Sequence, residues 1–153
     1  MKLSNGYTYR PDAERMADVE RKWRVKLPDE FRSLLMEYNG GIPEKREFQS
    51  GKQARMIERF LCIKEKGTYE DYAWYDINVV ITQVEERLAS DPHQKGDELI
   101  PIAALFAGDL LCLDYRASAI PSVCVWFHEE SGEWEPVTEK VADTFSEFMA
   151  MLF

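Results

Sequence analysis

The stretch "LIPIAALFAGDLLCLDYR", residues 99–116, decides the fold. Two short apolar runs flank a Gly-Asp pair, which is typical of two β-strands joined by a tight hairpin, because glycine tolerates the positive φ that such turns require. The pattern predicts Gly108 and Asp109 at the centre of the turn and a strand that begins at Leu110. An antiparallel pair of strands is therefore expected here.

The two aspartates of this stretch raise the question of a catalytic or metal-binding pair. Side chains alternate between the two faces of a strand, and Asp109 and Asp114 are five positions apart. In a regular strand they point to opposite faces and cannot form a carboxylate dyad or hold one metal ion. Asp109 is therefore predicted to be a turn residue, and Asp114 a strand-end residue that pairs with Arg116 or with a neighbouring strand.

Upstream, the sequence predicts two helices. The first runs from about Ala13 to Arg24. The second lies in "LPDEFRSLLMEYNGG", residues 27–41, where one apolar stripe has helical spacing. Asn39, Gly40 and Gly41 then end the helix, and we expect Gly40 or Gly41 to have a positive φ. The stripe consists of Phe31, Leu34, Leu35 and Tyr38.

The remaining pattern completes an α+β order. We expect strands in 56–63, 99–105, 110–115, 122–128 and 134–137, a middle helix in 76–90, and a last helix from about Asp143 with a capping box of Thr144 and Glu147. Strands and helices do not alternate regularly, which favours α+β over a doubly wound α/β sheet. The sequence predicts a single domain, 1–153, with a mostly antiparallel mixed sheet flanked by N-terminal, middle and C-terminal helices.

Composition limits the function classes. No run approaches the roughly 20 apolar residues of a membrane span, and the first residues lack the apolar core of a signal peptide. Three cysteines in apolar surroundings, Cys62, Cys112 and Cys124, favour reduced thiols in a cytoplasmic protein. With only His93 and His128, no Cys/His zinc spacing can be assembled, and no nucleotide-binding, zinc-protease or serine-hydrolase motif occurs. We expect no cofactor, no metal and no catalytic site.

The net charge of −9 is unevenly distributed. Residues 1–66 contain 15 Lys and Arg against 11 Asp and Glu, whereas residues 67–153 contain 4 against 17. The acidic part would repel a phosphate backbone, which disfavours direct nucleic-acid binding, and would attract a basic protein.

One segment has the composition of a protein-binding surface. "TYEDYAWYD", residues 68–76, interleaves aromatic rings with carboxylates. Tyrosine and tryptophan are enriched at binding hot spots, and carboxylates around them would steer a basic partner. Glutamates in and after the "EESGE" turn would extend the negative field if the fold brings both segments together. The predicted partner-binding residues are Tyr69, Glu70, Asp71, Tyr72, Trp74, Tyr75, Asp76, Glu129, Glu130 and Glu133.

Taken in order, these motifs resemble the SUKH superfamily, bacterial immunity proteins related to a fungal cell-wall-assembly regulator. The resemblance spans residues 19–153 and is weak over 42–98. It is carried by Glu20 before "LPDEFRSLLMEYNGG", then by "LIPIAALFAGDLLCLDYR", "PSVCVWFHEE" and "VADTFSEFMAMLF". The matching positions are mostly core and turn residues, including Leu27, Pro28, Asn39, Gly40, Gly41, Gly108, Asp109, Leu113, Asp114, Phe145 and Phe148.

The resemblance implies an α+β domain without a cofactor that binds and neutralises a cognate toxin, often a nuclease or deaminase, inside the producing cell. Two alternatives stay open. One is a regulatory or scaffolding domain for an endogenous protein. The other is a hydrolase that uses Asp109, Asp114 or His128.

Overall fold

The computed structural model describes residues 1–67, 75–88 and 99–153. Its α+β architecture, four helices around a mostly antiparallel sheet, confirms the predicted fold class. The helices are α1 (Ala13–Trp23), α2 (Asp29–Glu37), α3 (Ile77–Leu88) and α4 (Phe145–Met151). The strands are β1 (Leu3–Ser4), β2 (Ile42–Pro43), β3 (Glu47–Ser50), β4 (Gln53–Phe60), β5 (Leu99–Leu105), β6 (Leu110–Asp114), β7 (Ser122–Trp126) and β8 (Thr138–Ala142).

The main sheet is a six-stranded antiparallel meander in the order β3-β4-β5-β6-β7-β8. Strands β1 and β2 form a separate two-stranded sheet. The central strands are buried on both faces, and Leu111, Cys112, Val123 and Val125 have no exposed surface. Strand β5 contacts α3, and β7 and β8 contact α4. Burial on both faces explains why these strands are runs of apolar residues without strict alternation.

The C-terminal residue pairs with the β3 edge of the sheet, and a side-chain hydrogen bond links the two edge strands. At the β3 edge, Glu47 and Phe153 each donate a backbone N–H to the other's carbonyl, at 3.0 and 2.9 Å. The hydroxyl of Ser50, at the end of edge strand β3, donates a hydrogen bond of 2.6 Å to the carboxylate of Glu139 on the other edge strand, β8. The Glu47–Phe153 pair satisfies backbone groups of the β3 edge that could otherwise recruit another strand.

The turn between β5 and β6 differs from the predicted Gly-Asp turn. Gly108 donates its N–H to the carbonyl of Leu105, so Phe106 and Ala107 occupy the centre, and Ala107 has a φ of 76°. Asp109 instead closes the turn by accepting the N–H of Leu105. The prediction of a central Asp109 is wrong because Arg55 of β4 and His128, which follows β7, hold this aspartate at the sheet, as described below.

Two helices begin with side-chain caps, of which only the cap of α4 was predicted. The carboxylate of Asp12 accepts the N–H of Arg15 at the start of α1, and the hydroxyl of Thr144 accepts that of Glu147 at the start of α4. Pro28 is the N-cap of α2 and offers no side-chain acceptor. Between α1 and α2, Glu20 accepts hydrogen bonds from the N–H of Leu27 and from Arg32. That carboxylate fixes the angle between the two helices.

The "NGG" segment ends α2, as predicted, with positive φ at Asn39 (51°), Gly40 (86°) and Gly41 (118°). Asn39 is fully buried and also joins three parts of the chain. Its amide donates to the carbonyls of Tyr9 and Ile63, and its oxygen accepts the N–H of Ile63. The segment is therefore structural, as the sequence indicated, and asparagine supplies contacts that a glycine could not.

Three strand predictions require correction. The β3–β4 hairpin was not predicted, and β4 begins and ends earlier than the expected 56–63. In place of the strand predicted at 134–137, the structure has one isolated β-bridge, between Gly132 and Glu135, and the next strand is β8. Strands β3 and β8 lie at the sheet edges and carry polar residues, so neither shows the apolar run by which the central strands were recognised.

The three cysteines are free and buried, as predicted. Burial raises the pKa of the Cys62 and Cys124 thiols to about 12 and that of Cys112 well above its usual value. Cys112 and Cys124 lie opposite each other on β6 and β7. Within the described ranges, no helix is both long and apolar enough to span a bilayer.

Candidate protein-binding surface

One end of the main sheet carries the predicted glutamates of the "EESGE" turn. The β5–β6 turn and the connection from β7 to β8 both lie at this end, because consecutive strands are antiparallel. We call residues 127–137 the acidic loop. Four carboxylate side chains of this loop are exposed: those of Glu129, Glu130, Glu133 and Glu135.

The backbone of the acidic loop is held by a buried serine and an arginine. Ser131 is only 6% exposed, and its hydroxyl accepts the N–H of Val137 at 2.8 Å. Its N–H donates to Phe127, while Arg87 of α3 donates Nε–H to its carbonyl at 3.0 Å. Gly132 and Glu135 exchange two backbone hydrogen bonds of 3.0 Å. The exposed glutamates therefore project from a loop that is already ordered.

Asp109 forms the base of the acidic loop. Its carboxylate accepts the Nη2–H of Arg55 on β4, the backbone N–H of His128 at 2.9 Å and a contact from His128 Nδ1 at 2.7 Å. The Arg55 guanidinium also lies over the Phe127 ring, 5.8 Å from its centroid. We call these three residues the Arg55–Asp109–His128 cluster. The contacts of Arg55 and Asp109 hold Phe127 and His128, the first two residues of the acidic loop, against β4 and the β5–β6 turn.

The carboxylate of Asp109 is stabilised as an anion in spite of its burial. Burial alone would raise its pKa, but the hydrogen bonds from Arg55 and from His128 outweigh that effect and lower the pKa below its usual value. The carboxylate therefore stays charged at neutral pH, and the cluster is a partly buried ion pair with the imidazole attached.

Gly108 supports the same cluster through its lack of a side chain. It has a φ of 93°, and a Cβ atom there would lie 3.1 Å from Cε1 of His128. The imidazole therefore packs directly on the backbone of the β5–β6 turn.

The structure does not support a surface role for Asp76, so this part of the prediction is wrong. Asp76 is fully buried, and its carboxylate accepts the N–H groups of Lys64 and Val79. It caps the first turn of α3, and an aspartate just before a helix is commonly used in this way. Its charge therefore serves the fold.

Tyr75 is half-buried and packs against the core, with the Arg59 guanidinium 4.3 Å from its ring centroid. Its carbonyl accepts the N–H of Cys62, beyond the end of β4, whereas Phe127 of the acidic loop packs against Arg55, near the start of β4. The described residues of the two predicted segments therefore lie toward opposite ends of β4. The other predicted residues, Tyr69, Glu70, Asp71, Tyr72 and Trp74, lie outside the described residues.

The two aspartates of the opening stretch bind different arginines. Asp114 accepts two hydrogen bonds of 2.9 Å from Arg116, as predicted. Burial would raise the pKa of Asp114, but the hydrogen bonds from Arg116 outweigh burial and lower the pKa. Over the described residues, no group of three or more His, Cys, Asp or Glu side chains is arranged to hold a metal ion. The chemistry that this end of the sheet offers is charge and hydrogen bonding toward a partner.

Sequence reasoning missed the Arg55–Asp109–His128 cluster. The three residues are far apart in the chain, and Arg55 belongs to a part of β4 that was not predicted. No local spacing marks such a cluster, and only the strand order brings the residues together.

Comparison with known proteins agrees with the architecture. The family model SUKH_6, described as SMI1-KNR4 cell-wall, matches residues 13–149. No curated protein and no solved structure gives a significant match. The matched range includes both N-terminal helices, the main sheet and most of α4. Because it covers most of the chain, the protein belongs to the SMI1-KNR4 family of the SUKH superfamily.

Proposed function

We propose that this protein is an immunity protein that binds a basic toxin domain through the acidic loop and thereby neutralises it. The observation that carries the proposal is the loop itself, in which exposed glutamates project from a backbone fixed by Ser131 and Arg87. Family membership supports a protein-binding role in general, and the loop supplies a specific surface for it.

A basic partner fits the charge of this surface. Exposed carboxylates of one sign raise the rate of encounter with a cationic protein and disfavour encounter with nucleic acid. A loop that is already ordered loses little conformational entropy on binding, so more of the contact energy appears as affinity. Neutralisation of this kind needs no catalysis and no cofactor, because an inhibitor that covers a toxin's active site or substrate-binding surface is sufficient.

The aromatic segment remains a second part of the proposal. Tyr69, Tyr72 and Trp74 would supply the ring contacts and Glu70 and Asp71 further negative charge. A cytoplasmic location, where the toxin would be met before export, belongs to the same proposal.

Co-expression tests the function directly. The protein encoded by the gene immediately upstream would be expressed in bacterial cells with and without this chain. We expect growth arrest by the upstream protein alone, rescue by this chain, and a complex that co-purifies in low salt. Absence of both rescue and complex would contradict the proposal. A complex with a housekeeping protein in its place would favour the regulatory alternative.

A further inference from the structure

A second surface lies at the opposite end of β7 from the acidic loop. The chain between α1 and α2 faces the loop between β6 and β7, and two adjoining cavities open between them, with volumes of about 250 and 410 Å³. Lys26 and Ala119 line both cavities, so they form one continuous groove. Tyr115 closes its floor by donating a hydrogen bond of 2.8 Å from its hydroxyl to the carbonyl of Lys26.

The larger half of the groove is positively charged. Arg21, Arg24 and Lys26 line it and are exposed. Arg21 pairs with Asp18 at the surface, whereas Arg24 and Lys26 form no salt bridge with any residue in the described ranges. In the walls, Glu20 and Asp29 share the single positive charge of Arg32, so one negative charge remains against the two positive charges of Arg24 and Lys26. The charge available to a ligand is therefore positive, although the whole chain is acidic.

The smaller half of the groove is mainly apolar. Its apolar lining consists of Leu27, Pro28, Ile120, Pro121 and Phe145, and its polar lining of Lys26, Asp29, Thr144 and Ser146. Ile120 is 72% exposed, more than any other large hydrophobic side chain of the described residues. An exposed isoleucine beside an apolar cavity is well placed to cover an apolar side chain that enters from outside.

We propose that this groove binds an acidic segment of a partner protein, in which carboxylates contact Arg24 and Lys26 and a neighbouring apolar side chain enters the cavity under Ile120. The positive half of the groove favours an acidic partner. The apolar half favours a peptide segment that carries an apolar side chain over a small free anion. The site is independent of the acidic loop, which has the opposite charge and lies at the other end of the sheet.

Fluorescence anisotropy with a defined peptide tests the proposal. The probe is a fluorescein-labelled peptide of four glutamates followed by one leucine, and a second peptide has serine in place of the leucine. We expect the first peptide to bind the intact protein in low salt, and the serine peptide to bind about tenfold more weakly because it lacks the apolar contact. Ile120→Ser should remove most of the difference between the two peptides.

The charged half is tested by a double variant with a matched control. Arg24→Glu with Lys26→Glu should weaken peptide binding about tenfold or more. Lys45→Glu with Lys52→Glu makes the same change of net charge at exposed positions outside the groove lining and should leave binding nearly unchanged.

Three results would overturn the proposal. They are no binding of the leucine peptide, equal loss in both double variants, and salt-sensitive self-association of the protein that both Lys26→Glu and Glu130→Lys abolish. The last result would assign the groove to the acidic loop of a second copy.

Discussion

At the scale of the residue, the most informative side chains join segments that are distant in the chain. The helix stop at Gly40 and Gly41 could be predicted, because a positive φ after a helix has a local cause. The contacts of Asn39 with Tyr9 and Ile63 could not, because they depend on how the chain folds back. The contacts of Asp109 at the candidate site could not be predicted for the same reason. Its sequence neighbours indicate a turn, and its tertiary neighbours make it an ion-pair partner.

Gly41 tests the helix stop. A Cβ at Gly41 would lie 2.4 Å from the carbonyl oxygen of Ser4, in addition to the strain of its φ of 118°. Gly67 has a φ of 85°, and a Cβ there would meet no described residue within 4 Å, so Gly67→Ala measures mainly the cost of the positive φ. We expect Gly67→Ala to cost about 1 kcal/mol and Gly41→Ala clearly more, on the order of 3 kcal/mol. Urea unfolding measures both, and equal losses would show that the close approach to Ser4 is absent.

Asp109→Asn tests the Arg55–Asp109–His128 cluster. Removing the charge leaves the Arg55 guanidinium partly buried without its counter-ion, which should lower the free energy of unfolding by about 3 kcal/mol at pH 7. Asp18→Asn, at an exposed pair with Arg21, should cost less than about 1 kcal/mol. Urea unfolding of the two variants compares these costs.

The same variant has a predicted pH dependence. Because the folded protein lowers the pKa of Asp109, its stabilisation is complete above the usual aspartate pKa of about 3.9 and is lost as the pH falls through the folded-state value. The difference between wild type and Asp109→Asn should therefore shrink in acid. A difference that stays constant to pH 2 would contradict the assignment.

At the scale of the element, the apolar pattern was a sufficient guide for helix α2, which buries one stripe, and for the central strands, which are buried on both faces. The stripe of Phe31, Leu34 and Leu35 predicted α2, and the apolar runs predicted β5, β6 and β7. The β3–β4 hairpin and β8 escaped prediction because edge strands are half-exposed and polar. Their pairing is set by neighbouring strands, which a local pattern does not contain.

Ser131→Ala tests whether the acidic loop is held in one conformation. The substitution removes the acceptor of the Val137 N–H and should speed hydrogen exchange at that amide by about tenfold, equivalent to roughly 1 kcal/mol. Gly132→Ala changes the same loop at a position where a Cβ meets none of the described residues within 4 Å, and serves as the control. Unchanged exchange at Val137 in the serine variant would mean that the loop is ordered by other contacts.

The buried thiols of β6 and β7 test the packing of the central strands. Their raised pKa and lack of access predict slow labelling by a thiol reagent at pH 8 in the native protein and complete labelling in urea. Mass spectrometry after timed quenching assigns the site. Rapid native labelling of Cys112 would show that the centre of the sheet opens, and would revive a functional interpretation of the hairpin.

At the scale of the whole molecule, the uneven charge of the sequence corresponds to two separate surfaces. The acidic loop occupies one end of the sheet, and the groove with Arg24 and Lys26 occupies the other. The sequence predicted Glu129, Glu130 and Glu133 as partner-binding residues, and all three are exposed in the acidic loop, whereas partner binding itself stays a prediction. It did not predict the separation of the two ends, because the strand order that separates them comes from the complete meander.

The association rate with the upstream-encoded toxin domain tests the central claim most directly. Surface plasmon resonance would compare the triple variant Glu129→Lys, Glu130→Lys, Glu133→Lys with a control reversal at the exposed Glu14, Glu37 and Glu44. We expect the loop variant to associate at least about tenfold more slowly in low salt, with the difference fading near 0.5 M salt, and the control to stay close to wild type. Equal association rates for the loop variant and wild type in low salt would contradict the assignment of the acidic loop as the partner-binding surface.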